Sequence, residues 1–165
     1  MSMPRTASTR LRSGLFAATA VAGLLAAGGA HSASSGDATV IELSQTGCQF
    51  VESENGVDHG YAPKSADDCK TINGDSGSER LDTAKVLKLK PGKYVFRVTN
   101  KNVPYELGFW LRGEGLLGPA TLPSVSGGGL IAGATKDYAI TLEPGEYLYS
   151  CPLNPTPDYR LVVDG

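Results

Sequence analysis

The sequence predicts an all-β fold, a Greek-key sandwich of about seven short strands, with an irregular and partly helical insert at residues 47–80. Two stretches, Tyr94–Thr99 and Asp137–Leu142, alternate apolar and polar side chains, which is the period-two pattern of a half-buried strand. A six-residue segment also occurs twice, as Leu89-Lys-Pro-Gly-Lys-Tyr94 and as Leu142-Glu-Pro-Gly-Glu-Tyr147. Such a repeated Pro-Gly corner is typical of a chain that crosses between two packed sheets.

The first 32 residues have the pattern of a secretory signal peptide. Arg5, Arg10 and Arg12 precede an apolar run over 14–27, and the small residues that follow include a cleavage site at Ala30-His31-Ser32. The run is shorter than the roughly 20 residues that cross a bilayer, although an uncleaved N-terminal anchor is the alternative. We therefore expect a periplasmic or secreted protein with a flexible tail at residues 33–38, one domain at 39–165, and no membrane insertion after cleavage.

The predicted strands follow one another along the domain and are separated by turn residues. Residues 113–133 are dominated by glycine and proline, so we expect a long loop there with little regular structure. In the polar insert, Ser65-Ala66-Asp67-Asp68 has the composition of a helix start and predicts a short helix that contains Cys69. The seven strands are expected at residues 39–43, 86–90, 94–99, 105–111, 137–142, 147–151 and 159–163.

Charge and histidine content exclude several classes of function. Cleavage of the signal leaves 12 basic residues against 17 acidic ones, a net charge of −5, which argues against nucleic acid as a partner. The mature chain keeps one histidine, His59, so a site that needs two imidazoles cannot form within one chain. No G-x-S-x-G motif is present, and the glycines at 127–129 lack the Gly-Lys-Ser/Thr ending of a phosphate loop. A carrier or binding protein is therefore favoured over an enzyme.

Three cysteines, Cys48, Cys69 and Cys151, remain in the mature chain. Two of them lie towards the two ends of the polar insert, and cysteines of exported proteins usually form disulfides. We therefore expect a Cys48–Cys69 disulfide that leaves Cys151 as the unpaired thiol. The alternative is that these cysteines are metal ligands.

The C-terminal half resembles the cupredoxin family, the β-sandwich fold of plastocyanin and amicyanin. The resemblance covers roughly residues 85–163 and lies in three segments, PGKYVFRVTNKNVPYELGFW, LEPGEYLYSC and CPLNPTPDYRLVV. It implies a copper site made of two histidines, one cysteine and a weak axial methionine. Cys151 matches the cysteine, whereas Tyr105 and Asn154 occupy the two histidine positions, and the mature chain has no methionine. A standard blue-copper centre is therefore not expected.

Two functions remain open on these residues. The first is copper binding, copper handling or electron transfer at a non-standard site centred on Cys151, with Cys48, Glu52 and His59 as further ligands. Its partner would be a redox or copper-trafficking protein of the cell envelope. The second is a metal-free partner-binding module in which Tyr105 and Asn154 hydrogen-bond to each other and close the site.

The surface beside this corner is the expected docking face for a partner. Phe109 and Trp110 are adjacent strand residues, so their side chains point in opposite directions and at least one of them belongs to the core. The residues predicted to form the face are aromatic, aliphatic or proline: Tyr105, Trp110, Pro152, Leu153, Pro155 and Pro157.

Overall fold

The structure is a computed structural model that describes residues 37–165. The predicted signal peptide and most of the predicted tail lie outside the described residues. The first strands and helices are β1 (Thr39–Thr46), β2 (Gln49–Phe50), a 3-10 turn (Glu52–Glu54), α1 (Ala66–Thr83), β3 (Leu87–Leu89) and β4 (Gly92–Asn100). They are followed by β5 (Leu107–Gly113), α2 (Gly118–Thr121), β6 (Val125–Leu130), β7 (Thr135–Leu142), β8 (Gly145–Ser150) and β9 (Tyr159–Val163).

The strands form two sheets, as expected of a sandwich-like fold. One sheet has four strands in the order β2-β1-β4-β7, and the other has five in the order β3-β9-β8-β5-β6. β1 pairs parallel with β4, and β3 pairs parallel with β9, so both sheets are mixed. All seven predicted strands are present, and each repeated Pro-Gly corner takes the chain from one sheet to the other, which confirms that prediction.

The two copies of the corner share one hydrogen bond. Tyr94 Oη donates to the Lys90 carbonyl at 2.8 Å, and Tyr147 Oη donates to the Glu143 carbonyl at 2.9 Å. The corner glycines have φ of 155° and 157°, a backbone conformation that glycine adopts without steric cost. The tyrosine five residues after the strand end therefore hydrogen-bonds back across the turn, which explains the repeated Leu-x-Pro-Gly-x-Tyr pattern.

Three predictions were wrong in extent. The long loop expected at 113–133 contains α2 and strand β6, and β2 adds a ninth strand within the insert. β6 was missed because glycine has a low strand propensity, and its sequence, VSGGGL, has three glycines in a row. The helix predicted to be short has 18 residues and passes the expected end of the insert at residue 80.

Aromatic side chains from both sheets and from the insert fill the core. Phe50 makes edge-to-face contacts with Phe109, Tyr149 and Tyr159, at centroid distances of 5.7–6.1 Å. Phe109 is fully buried, whereas Trp110 on the opposite side of β5 is 37% exposed, which confirms that the two point in opposite directions.

Helix α1 is polar around most of its circumference and has little apolar surface to bury. Its start is capped as predicted, because Asp68 Oδ2 accepts the backbone N–H groups of Lys64 and Ser65. Only Cys69, Gly77 and Arg80 are buried among its residues. Specific polar and covalent contacts, rather than an apolar stripe, therefore hold α1 against the sheets. Within residues 37–165, no helix is both long and apolar enough to cross a membrane.

Candidate functional site: a closed corner around Cys151

Cys151 lies at the end of β8, where the chain leaves the five-stranded sheet. Its side chain is buried, and its Sγ accepts the backbone N–H groups of Gly108 at 3.2 Å and of Asn154 at 3.3 Å. Burial raises the pKa of the Cys151 thiol, and these N–H groups oppose the rise without reversing it. The corner therefore holds Cys151 as a neutral, shielded thiol.

Tyr105 and Asn154 meet beside this thiol, in the contact that the metal-free alternative expects. Tyr105 Oη donates to Asn154 Oδ1 and also lies 3.1 Å from the Ser65 carbonyl just before α1. Burial, together with the nearby Asp68 carboxylate and with Cys151 once its thiol ionises, raises the pKa of Tyr105 to about 12, so the phenol remains protonated at neutral pH. The two residues at the expected histidine positions thus bind each other.

The predicted Cys48–Cys69 disulfide is confirmed. The S–S distance is 2.02 Å, the Cα atoms are 5.1 Å apart, and both residues are fully buried. Cys69 Sγ lies 2.9 Å from Asn154 Oδ1. Because a disulfide sulfur carries no hydrogen, this is a packing contact and not a hydrogen bond. Cys48 lies in the tight β1–β2 turn, so the disulfide joins the first turns of α1 to the four-stranded sheet.

Helix α1 runs across the loop that follows Cys151. Asn73 Nδ2 donates to the Pro155 carbonyl, and Gly77 faces Pro157, where a Cβ would make an ordinary van der Waals contact with the proline ring at 3.8 Å. Together with Ser65 and Cys69, these residues place the N-terminal and middle turns of α1 over the Cys151 loop. The corner is therefore covered by a helix as well as closed by the Tyr105–Asn154 pair.

The structure does not bring the predicted metal ligands together. The sulfur of Cys48 is in the disulfide, Glu52 Oε2 accepts the Ser44 N–H at 2.6 Å, and His59 Nε2 lies 2.7 Å from Glu54 Oε2. Across residues 37–165, no group of three or more His, Cys, Asp and Glu side chains is arranged to hold a metal ion. A phenol, a carboxamide and a disulfide beside one thiol are a poor donor set for copper, so the residues of this corner do not fit the ion.

A second polar cluster, which sequence reasoning missed, lies between the insert and the five-stranded sheet. Arg80 Nη2 donates to Glu54 Oε1 at 2.7 Å, and the two side chains are only 6% and 4% exposed. Tyr159 Oη and His59 Nε2 also contact the Glu54 carboxylate, while Arg80 binds the Asn73 side chain. Glu54 and Arg80 are 26 residues apart and follow no motif, so only the position of Arg80 as the sole arginine of the insert could have drawn attention to it.

The predicted docking face is smaller in the structure than expected. Pro157 is buried, and Tyr105 and Pro155 are half-buried. The exposed remainder is the Leu153–Trp110 patch, made of Trp110, Pro152 and Leu153, with Arg112 beside them. The Arg112 guanidinium stacks 4.0 Å from the centre of the Trp110 ring and is itself held by Asp158 and Ser150. The tryptophan is therefore presented on a rigid support.

No protein-family model matches the chain, and no curated protein matches it. The corner and the patch beside it are therefore the features of the protein that bear on its function.

Proposed function

We propose that this protein is an exported partner-binding module that has a cupredoxin-like fold and works without a bound metal. The observation that carries the proposal is the contact between Tyr105 and Asn154 beneath α1. This contact fills the corner where the family resemblance places a copper ion. A site closed by a hydrogen bond, a disulfide and a helix has a structural role, and binding then falls to the surface next to it.

The Leu153–Trp110 patch supports the binding part of the proposal. Trp110 is 37% exposed and Leu153 is 45% exposed, and large aromatic and aliphatic side chains of this kind dominate the energy of protein interfaces. Trp110 loses little side-chain entropy on binding because Arg112 already fixes its ring. Arg112 is paired with Asp158, so an apolar or aromatic surface fits the patch better than an acidic one. The partner that the resemblance implies is a redox or copper-trafficking protein of the cell envelope.

Site-specific crosslinking tests this proposal. A photoreactive amino acid at position 153 should capture a defined partner from a periplasmic extract, and Trp110→Ala should abolish capture because it removes the central contact. The matched control is position 116 in the loop after β5, where Leu116 is 97% exposed but lies at the other end of that strand. An equal yield of crosslinked partner from positions 153 and 116 would contradict the proposal. A yield from position 153 that is unchanged by Trp110→Ala would also contradict it.

Copper binding at Cys151 is the competing function. The two N–H groups on Cys151 Sγ favour it, because hydrogen bonds to sulfur stabilise the thiolate that copper requires. Within the described part of the chain, no three His, Cys, Asp or Glu side chains are grouped to hold a metal ion, which opposes it. Metal analysis separates the two functions.

A further inference from the structure

We propose that α1 is a cover over Cys151 whose latch is the Cys48–Cys69 disulfide, so that reduction of this bond makes Cys151 available to thiol-specific chemistry. This exposure of Cys151 on reduction takes place within the corner itself and does not depend on the identity of a partner. Three features of α1 support it.

The first observation is that α1 lies over the loop that follows Cys151. The helix contacts the loop from three successive turns, through residues four positions apart. Cys69 contacts Asn154, Asn73 binds the Pro155 carbonyl, and Gly77 faces Pro157. Cys151 is 2% exposed under this arrangement. A reagent can reach its sulfur only if the helix or the loop moves.

The second observation is that α1 has little intrinsic stability. Its central residues, Asn73-Gly-Asp-Ser-Gly-Ser78, include two glycines and short polar side chains, all of which are unfavourable in a helix interior. Its burial of apolar surface is small, as the three buried residues show. A helix of this composition remains in place only while its specific attachments hold it.

The third observation is that these attachments are divided between the two ends of the helix. Arg80 holds the last turns through Glu54, whereas the disulfide is the covalent hold on the first turns. The remaining contacts of the N-terminal half are the 3.1 Å approach of Tyr105 Oη to the Ser65 carbonyl and one hydrogen bond from Asn73 to the Pro155 carbonyl. Opening the disulfide therefore releases the half of α1 that covers Cys151, while Arg80 keeps the other half docked.

The redox step needs a dithiol reductant, and its atoms balance. One thiolate of the reductant attacks a sulfur of the Cys48–Cys69 bond and forms a mixed disulfide, and the other cysteine leaves as a thiolate that takes up a proton. The second thiol of the reductant then displaces the protein sulfur, so the reductant becomes a disulfide and the protein gains two thiols. Because both sulfurs are buried, fraying of the first turns of α1 must precede the attack.

Labelling of Cys151 with N-ethylmaleimide tests the proposal. In the wild-type chain and in the double variant Cys48→Ser/Cys69→Ser, Cys151 is the only thiol, so intact mass reports its modification alone. The double variant should react roughly 300-fold faster, which is about 3.4 kcal/mol at 1.36 kcal/mol per tenfold and corresponds to the chain-entropy effect of a disulfide loop of this length. Tyr94→Phe, which keeps the disulfide and removes one hydrogen bond at a Pro-Gly corner, should react at nearly the wild-type rate.

Two results would overturn the proposal. One is an unchanged labelling rate in the double variant with the sheets intact, as judged by circular dichroism and Trp110 fluorescence. The other is loss of the sheet signal itself, since the disulfide would then hold the sandwich and not the cover. Hydrogen exchange of the wild-type chain before and after dithiothreitol provides a measurement without mutation. Exchange should accelerate over residues 66–76 and not in β5 or β8, and acceleration throughout the chain would contradict a local cover.

Discussion

Replacement of Arg80 by methionine should destabilise the fold, because it removes the positive partner of the buried Glu54 carboxylate. Arg80 donates to Glu54 through both Nε and Nη2, to the Cys48 carbonyl, and to Asn73 Oδ1. Methionine keeps much of the aliphatic volume and removes every one of these donors. The Glu54 carboxylate, which is only 4% exposed, then remains buried without its main positive partner.

The expected cost is about 3–5 kcal/mol at pH 7, the usual cost of leaving one member of a buried ion pair without the other. Burial alone raises the pKa of Glu54, but Arg80, Tyr159 and His59 together outweigh burial and hold the pKa below its ordinary value of 4.5. In the wild-type protein this carboxylate therefore stabilises the fold above about pH 4.5, and the contribution is lost as pH falls through the lowered pKa.

In Arg80→Met the shift of the Glu54 pKa changes from downward to upward, because the arginine no longer opposes the rise caused by burial. The neutral carboxyl is then the form that the fold prefers, so the difference in stability between wild type and variant should narrow as pH falls from 7 towards 4. Urea denaturation at several pH values measures both effects. The double variant Arg80→Met/Glu54→Gln has no buried charge and should recover part of the loss. A cost below about 1 kcal/mol, or strict additivity of the two single variants, would refute the buried-pair account.

Three further predictions concern the core, the glycines and the closed corner. Phe50→Ala should cost about 3–5 kcal/mol in urea denaturation because it empties the centre of the aromatic cluster; a cost under about 1 kcal/mol would mean that the cluster is not central. Gly47→Ala should destabilise the protein strongly, because its Cβ would lie 2.1 Å from the Tyr61 carbonyl oxygen. Gly74→Ala, in open space on α1, should stabilise it by about 0.5–1 kcal/mol. A Gly47→Ala variant more stable than Gly74→Ala would contradict this packing. Tyr105→Phe should remove a phenol ionisation near pH 12 from the absorbance titration. Because the fold keeps this phenol protonated, the stability of the wild-type protein should fall as pH rises above about 10. A titration that the substitution leaves unchanged would count against the raised pKa of Tyr105.

Much of the sandwich is predictable because its signals are local. Alternation along Tyr94–Thr99 identifies a half-buried strand without knowledge of its neighbours, and the Pro-Gly corners identify where the chain changes sheets. The closed corner is predictable in part from the side chains themselves, because the phenol of Tyr105 and the carboxamide of Asn154 are a donor and an acceptor that can bind each other.

The unpredicted features depend on contacts between distant residues. β6 is a strand although its glycines have a low strand propensity. Its neighbours leave little room for side chains, because a Cβ at Gly127 would lie 3.1 Å from the Tyr138 ring and one at Gly128 would lie 2.7 Å from the Glu106 carboxylate. The extent of α1 is equally hidden, because the helix has no apolar stripe and is held by the disulfide and by Arg80. Neither arrangement leaves a periodic trace in the sequence.

Copper analysis of the oxidised, signal-free chain tests the central claim most directly, namely that the corner around Cys151 is closed against metal. The chain is dialysed against Cu(I) and against Cu(II) with the Cys48–Cys69 bond intact, and bound copper is measured beside the variant Cys151→Ala. A closed corner should retain no copper above the level of the variant, because the groups near the thiol are a phenol, a carboxamide and a disulfide. Stoichiometric copper in the wild-type chain that is lost in Cys151→Ala would contradict it.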